Sequence, residues 1–221
     1  MNGTPQKGCS RCGRCCKSHT PSLHKGDISL IKGGVLPLNS LYTIRKGEPV
    51  NHNIEGKVLF IDTELVKIKE SRKTGYCLFY NLIDSSCSIY QHRPAQCRFF
   101  ECWNPEKFKI LFNSPKLTRT DIVTDKTMLE LMKAHEQRVP CGRFYELLNT
   151  EKPSEDKESE IVEMINYDQH FRDFLIKQSL LDPEEMDFYF GRSLIKGMQA
   201  LGFSLEGSKE DGFLLIGGSN G

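Results

Sequence analysis

The chain of 221 residues has one tryptophan and almost no net charge, +1 from 30 Lys/Arg and 29 Asp/Glu. Near-neutrality removes any reading that rests on bulk charge, such as a uniformly basic nucleic-acid binder. No apolar run approaches the ~18–20 residues that a membrane-spanning helix needs, so no membrane association is expected. Residues 1–16 lack an apolar core of the signal-peptide kind; the expected location is therefore the cytoplasm, a reducing compartment. A Walker motif, a nucleophile elbow with a triad and an H-E-x-x-H helix are all missing, which leaves no standard hydrolase or nucleotide-binding reading.

Cysteine, by contrast, is abundant: Cys9, Cys12, Cys15, Cys16, Cys77, Cys87, Cys97, Cys102 and Cys141. In a reducing compartment, cysteines at short spacings point to metal rather than to disulfides. Residues 9–16 read C-x2-C-x2-C-C. Two-residue spacers let successive sulfurs turn toward one centre, and ferredoxins open with a similar run. Zinc sites more often use one C-x2-C pair and a distant second pair. Cys15 and Cys16 are adjacent, so their side chains are expected to diverge. Cys77, Cys87, Cys97 and Cys102 are too widely spaced for a self-contained knuckle, and hairpin ends are expected to gather them. Cys141, isolated beyond Pro140, reads as a buried inert thiol.

Charge is unevenly distributed. Residues 1–50 carry eight Lys/Arg and two Asp/Glu, whereas residues 151–221 carry seven and fifteen. Arg11, Arg14 and Lys17 lie among the first cysteines, where cations would offset anionic bound thiolates. Arg93 and Arg98 flank Cys97 and are candidates to donate N–H bonds to thiolates or cluster sulfides. Cations and aromatics alternate over residues 93–109, but the aromatics are expected to pack over the metal, so no strong nucleic-acid signal is read there.

Residues 1–22 read as a loop ordered by metal, with a helical turn over residues 28–31 capped by Asp27. Residues 58–61 and 65–68 read as strands, and the region 57–92 as a small antiparallel sheet. The second half reads as helical: a helix begun by a Thr127–Glu130 capping box, a short one over residues 141–149, and a stripe through Ile161, Met164, Ile165 and Leu175 that Asp168 interrupts. Asp182-Pro183-Glu184-Glu185 is a strong helix start, followed by an i, i+4 stripe from Met186 to Leu201. Residues 150–160, charged and nearly without apolar side chains, read as an exposed linker. The expected fold is α+β. Residues 1–149 form a cysteine-cluster module with its following helices, and residues 150–221 are a helical extension completing the same core.

The first cluster, then Cys87-x2-Tyr90-x2-Arg93-Pro94-x2-Cys97-Arg98, resembles the YkgJ-like cysteine-cluster family, described as zinc- or iron-chelating, over about residues 8–103. The resemblance implies metal ligands at Cys9, Cys12, Cys15, Cys16, Cys77, Cys87 and Cys97, with Cys102 added. The family includes flagellin lysine methylases that use an iron–sulfur cluster and S-adenosylmethionine, although those proteins are longer. The resulting expectation is a [4Fe–4S] protein with a redox or methyl-transfer role on a protein or RNA substrate. The alternative is a structural zinc module without catalysis.

Overall fold

The computed structural model describes residues 9, 11–52, 56–104, 106–150, 154–208 and 212–217. Its helices are α1 (Arg14–Ser18), α2 (Ile28–Lys32), α3 (Ala95–Phe99), α4 (Glu106–Phe112), α5 (Arg119–Ile122), α6 (Lys126–Arg138), α7 (Cys141–Leu148), α8 (Glu155–Lys177), α9 (Met186–Phe190) and α10 (Leu194–Gln199). Its strands are β1 (Leu41–Ile44), β2 (Pro49–His52), β3 (Lys57–Phe60), β4 (Leu65–Ile68), β5 (Tyr80–Asn81), β6 (Ser86–Cys87), β7 (Phe203–Ser208) and β8 (Gly212–Gly217). The fold is α+β, with β2–β3, β5–β6 and β7–β8 as short antiparallel ladders. Among the described residues no helix is long and apolar enough to cross a membrane. The chain divides into two compact units, residues 1–42 with 65–122 and residues 43–64 with 123–221.

In the first unit, residues 21–24 run between β4 and the segment before α5. The Leu23 N–H donates to the Val66 carbonyl at 2.8 Å, and the Leu117 N–H donates to the Leu23 carbonyl at 3.0 Å. Leu23, Val66 and Leu117 are all buried. This irregular ladder satisfies backbone groups that burial would otherwise orphan. The Asp27 carboxylate, fully buried, accepts from the His24 N–H at 2.9 Å and from the Ala95 N–H at 2.8 Å. Asp27 thus makes no side-chain cap to α2, the role expected of it. It meets an otherwise unpartnered donor in the first turn of α3, where a negative charge is favoured.

The second unit is built on α7, α8 and α10. Phe144, Tyr145 and Leu148 pack with Ile161, Met164, Ile165, Leu194 and Met198. The polar break in the α8 stripe is a buried network. Asp168 accepts from His135 Nε2 at 2.8 Å, from Arg172 Nε at 2.9 Å and from the Leu194 N–H at 3.0 Å. Arg172 also donates to the carbonyls of Phe190 and Gly191. Burial presses the His135 pKa down against the pull of Asp168, so the imidazole is neutral and donates through Nε2. Burial also opposes ionisation of Asp168, but the His135 hydrogen bond and the Arg172 charge win and hold its carboxyl well below the usual range.

Several local expectations are corrected. The strands over residues 57–68 do not share one sheet: β3 pairs with β2 in the second unit, and β4 lies in the first. Within the region 57–92 expected to form one sheet, residues 72–79 are turn and bend apart from the bridge of Cys77 to Glu70, and Tyr80 and Asn81 enter the separate β5–β6 ladder. Residues 155–160 open α8 instead of forming a linker. Glu155, Asp156 and Glu158 sit in its first turn, where the helix dipole rewards acids, and Glu160 forms a two-point pair with Arg143. The cap of α6 is Asp125, accepting from the Met128 N–H at 2.7 Å, not Thr127. The helix after Asp182-Pro183 starts as expected but breaks at Gly191, whose φ is +70° and whose missing Cβ leaves room for the Arg45 stem.

Candidate metal centre

Three segments of the first unit carry its cysteines: the N-terminal run on and before α1, the turns and ladder around β5 and β6, and α3 with the turn that follows it. Their backbone is tied together directly. The Cys77 N–H donates to the Cys16 carbonyl at 2.8 Å. Cys77 also bridges Glu70, whose carboxylate accepts from the Thr20 hydroxyl at 2.5 Å. Cys87 stands opposite Tyr80 in the β5–β6 ladder. The Ser22 N–H donates to Gln96 Oε1 at 2.6 Å, and with Asp27 on Ala95 this fixes the helix that bears Cys97. Long-range polar contacts therefore do the positioning, since the spacing of Cys77, Cys87 and Cys97 has no local geometry of its own.

The thiols sense one another. Cys97, pushed up mainly by burial, is raised further by charge on Cys77, Cys15 and Cys87. Burial likewise lifts Cys87 and pushes Cys77 up to about 11. The sulfurs of Cys15 and Cys16 are 4.0 Å apart, so the expected divergence of their side chains does not hold. Their hydrogen bond, the largest influence on both, lowers Cys15 and raises Cys16. This is the behaviour of one thiol ionising while its neighbour donates to it. Cys9 and Cys12 are exposed, and Cys9 accepts from the Arg11 N–H at 3.4 Å. Cys102 is exposed on the turn between α3 and α4. Cys141 is buried in the second unit, its pKa pushed up to about 12 mainly by burial.

Arg93 and Arg98 part company. Arg93 is half-buried, its Nε donating to the Tyr90 carbonyl at 2.9 Å, and its charge favours ionisation of Cys15, Cys87 and Cys97. Arg98 is exposed near the end of α3. The Tyr90 ring has two guanidinium groups over it, Arg93 at 3.8 Å and Arg11 at 4.2 Å from its centroid. These cation–π contacts hold two cations beside the cysteines.

Tyr80 was not legible as a site residue. Its hydroxyl is buried with no hydrogen-bond partner and lies against Gly13, in the spacer between Cys12 and Cys15. Gly13 has φ +73°, and a Cβ there would collide with that hydroxyl. Lys17 lies over the rings of Tyr76 and Tyr80. Nothing in the sequence joins position 80 to position 13; the glycine in the C-x2-C spacer is the one local hint.

Among the described residues, no three histidine, cysteine, aspartate or glutamate side chains meet in the geometry of a bound ion. The donor chemistry nevertheless fits a thiophilic metal: Cys16, Cys77, Cys87 and Cys97 resist ionisation beside their neighbours while Cys15 gives way, with cations and an orphaned hydroxyl next to them. These features define the first unit as a cysteine-cluster domain. Residues 8–116 match the family model CxxCxxCC, "Putative zinc- or iron-chelating domain", which is the family the sequence resembles and which supports metal binding. No curated protein and no solved structure matches the chain.

Proposed function

We propose that the first unit holds a thiolate-bound metal centre whose donors are drawn from Cys9, Cys12, Cys15, Cys16, Cys77, Cys87, Cys97 and Cys102. The observation that carries this reading is the convergence of Cys15, Cys16, Cys77, Cys87 and Cys97 from three segments beside Arg93. The favoured form is a [4Fe–4S] cluster, because the N-terminal C-x2-C-x2-C run is of ferredoxin kind. Such a cluster would supply one-electron chemistry or a site for S-adenosylmethionine. Arg93 would donate toward anionic sulfur, Tyr80 would offer its unpartnered O–H, and Arg11 and Lys17 would offset negative charge. The role would be redox, or enzymatic on a protein or RNA substrate, with methyl transfer the option that the family resemblance implies. The family's description also names zinc, which would make the unit a structural module.

Anaerobic purification, with metal and acid-labile sulfide measured on one sample, tests the proposal. Iron and sulfide in near-equal amounts support the cluster, and S-adenosylmethionine binding is then measured. Zinc without sulfide assigns the structural module. Absence of both overturns the metal centre.

A further inference from the structure

The aromatic residues that follow Cys97 do not all pack away. Phe99, Phe100 and Trp103 are exposed by 45%, 39% and 36% of their surface. Of the neighbouring rings, Phe108 meets Phe100 edge to face, with centroids 5.4 Å apart, and so backs that ring while one side stays open. Cations neighbour these rings in the chain. Arg98 is exposed, and Lys107 and Lys109 reach across the surface to Glu101 and Glu106 at 2.7 and 2.9 Å. Both lysines are more than half exposed. Exposed pairs of this kind contribute little and exchange readily for another anion. The unit carrying the face has sixteen Lys/Arg against six Asp/Glu, so its field draws anions.

We propose that the α3–α4 face of the cysteine unit binds single-stranded nucleic acid, with Phe99, Phe100 and Trp103 stacking on bases and Arg98, Lys107 and Lys109 meeting phosphates. An acidic polypeptide satisfies the charge but leaves three open rings without a flat partner. A single strand presents both, and every base has a face to stack. The proposal does not depend on which metal the cysteines hold.

Trp103 is the only tryptophan of the chain, so its fluorescence reports on this face alone. The full-length protein, as purified with its metal, is titrated with an oligouridylate and an oligothymidylate of about twelve nucleotides, within the usual site sizes. Saturable quenching is expected with at least one of them, and the preferred sugar then assigns RNA or DNA. The slope of log K against log salt should be about −0.7 per phosphate contact. Phe99→Ala should weaken binding about tenfold with an unchanged circular-dichroism spectrum and metal content, because the ring is exposed. The Lys107→Glu, Lys109→Glu double variant should flatten the salt slope. Three results would overturn the proposal: no saturable quenching at low salt, equal quenching by a polyglutamate of matched charge, or unaltered affinity in Phe99→Ala.

Discussion

The two units of this chain are stabilised by different means. Among the described residues, the helical unit buries eighteen apolar side chains and the cysteine unit eight. Eight of the nine cysteines lie in the unit with the smaller core, and the ninth is a buried packing residue in the other. Charge divides the same way: the helical unit has fourteen Lys/Arg against twenty-three Asp/Glu, the reverse of the cysteine unit's excess. Apolar burial contributes roughly 25 cal/mol per Å², so a unit with few buried side chains needs another source of order. Bound metal is such a source, and an excess of cations suits a unit that holds thiolates. The net charge of +1 hides this division because the two parts nearly cancel.

The sharpest way to break the comparison is to remove the metal. Structural zinc in small domains supplies roughly 10–16 kcal/mol of binding energy that is also folding energy. Chelation should therefore abolish ordered structure around the cysteines while leaving the helical unit folded, as segment-resolved hydrogen exchange would show. Cys12→Ser should act in the same direction, lowering metal content and loosening the N-terminal run together with residues 77–102. Cys141→Ser should leave metal content unchanged. An equal metal loss in both variants would erase the distinction between the units.

The next largest effect belongs to the helical unit. Asp168→Ala takes away the carboxylate that is hydrogen-bonded to buried Arg172 and leaves it only Asp187, 4.0 Å away; breaking a buried pair typically costs about 3–5 kcal/mol. Denaturant unfolding should show that loss with metal content retained. Gly47→Ala follows. The residue has φ +88°, and a Cβ would collide with the backbone of Gly142; strain of this kind is expected to cost about 1–3 kcal/mol. A melting temperature equal to that of the parent would contradict it.

The smallest effect is that of pH. His135 and Asp168 both have lowered folded-state pKa values. As pH falls below about 6.5, the unfolded chain takes up a proton at His135 that the folded unit resists. Asp168 adds to this below about pH 4, where its unfolded carboxyl protonates first. Stability from these groups is therefore present above about pH 6.5 and declines as the solution is acidified. For each group the slope is no steeper than about 1.4 kcal/mol per pH unit. His135→Phe should flatten the limb between about pH 6.5 and 4 in a titration of unfolding free energy.

Much of the helical unit was legible because its signals are local. Asp182-Pro183 starts a helix wherever it stands, and the spacing of Ile161, Met164, Ile165 and Leu175 names a buried face. The break at Asp168 was visible too, but its partners His135 and Leu194 lie on other elements. The cysteine unit was legible in composition but not in connection. The C-x2-C-x2-C-C run announces a metal, whereas the bond from Cys77 to Cys16, the Asp27 bridge to α3 and the Tyr80 hydroxyl against Gly13 depend on distant pairing. Residues 155–160 were misread for a related reason. Their charge suggested solvent, but acids at a helix N-terminus are stabilising, and Glu160 finds Arg143 on another helix.

The ladder through Leu23 sets how the cysteine unit opens. Leu23 and Leu117 donate buried amides to backbone carbonyls on either side, so these protons should exchange only when the whole unit unfolds. The cysteine run before them joins that ladder through Thr20, Pro21 and Ser22. Opening at the cysteines also parts the Cys77 N–H from the Cys16 carbonyl, so amides of that run and of residues 77–102 are expected to exchange before those of Leu23 and Leu117.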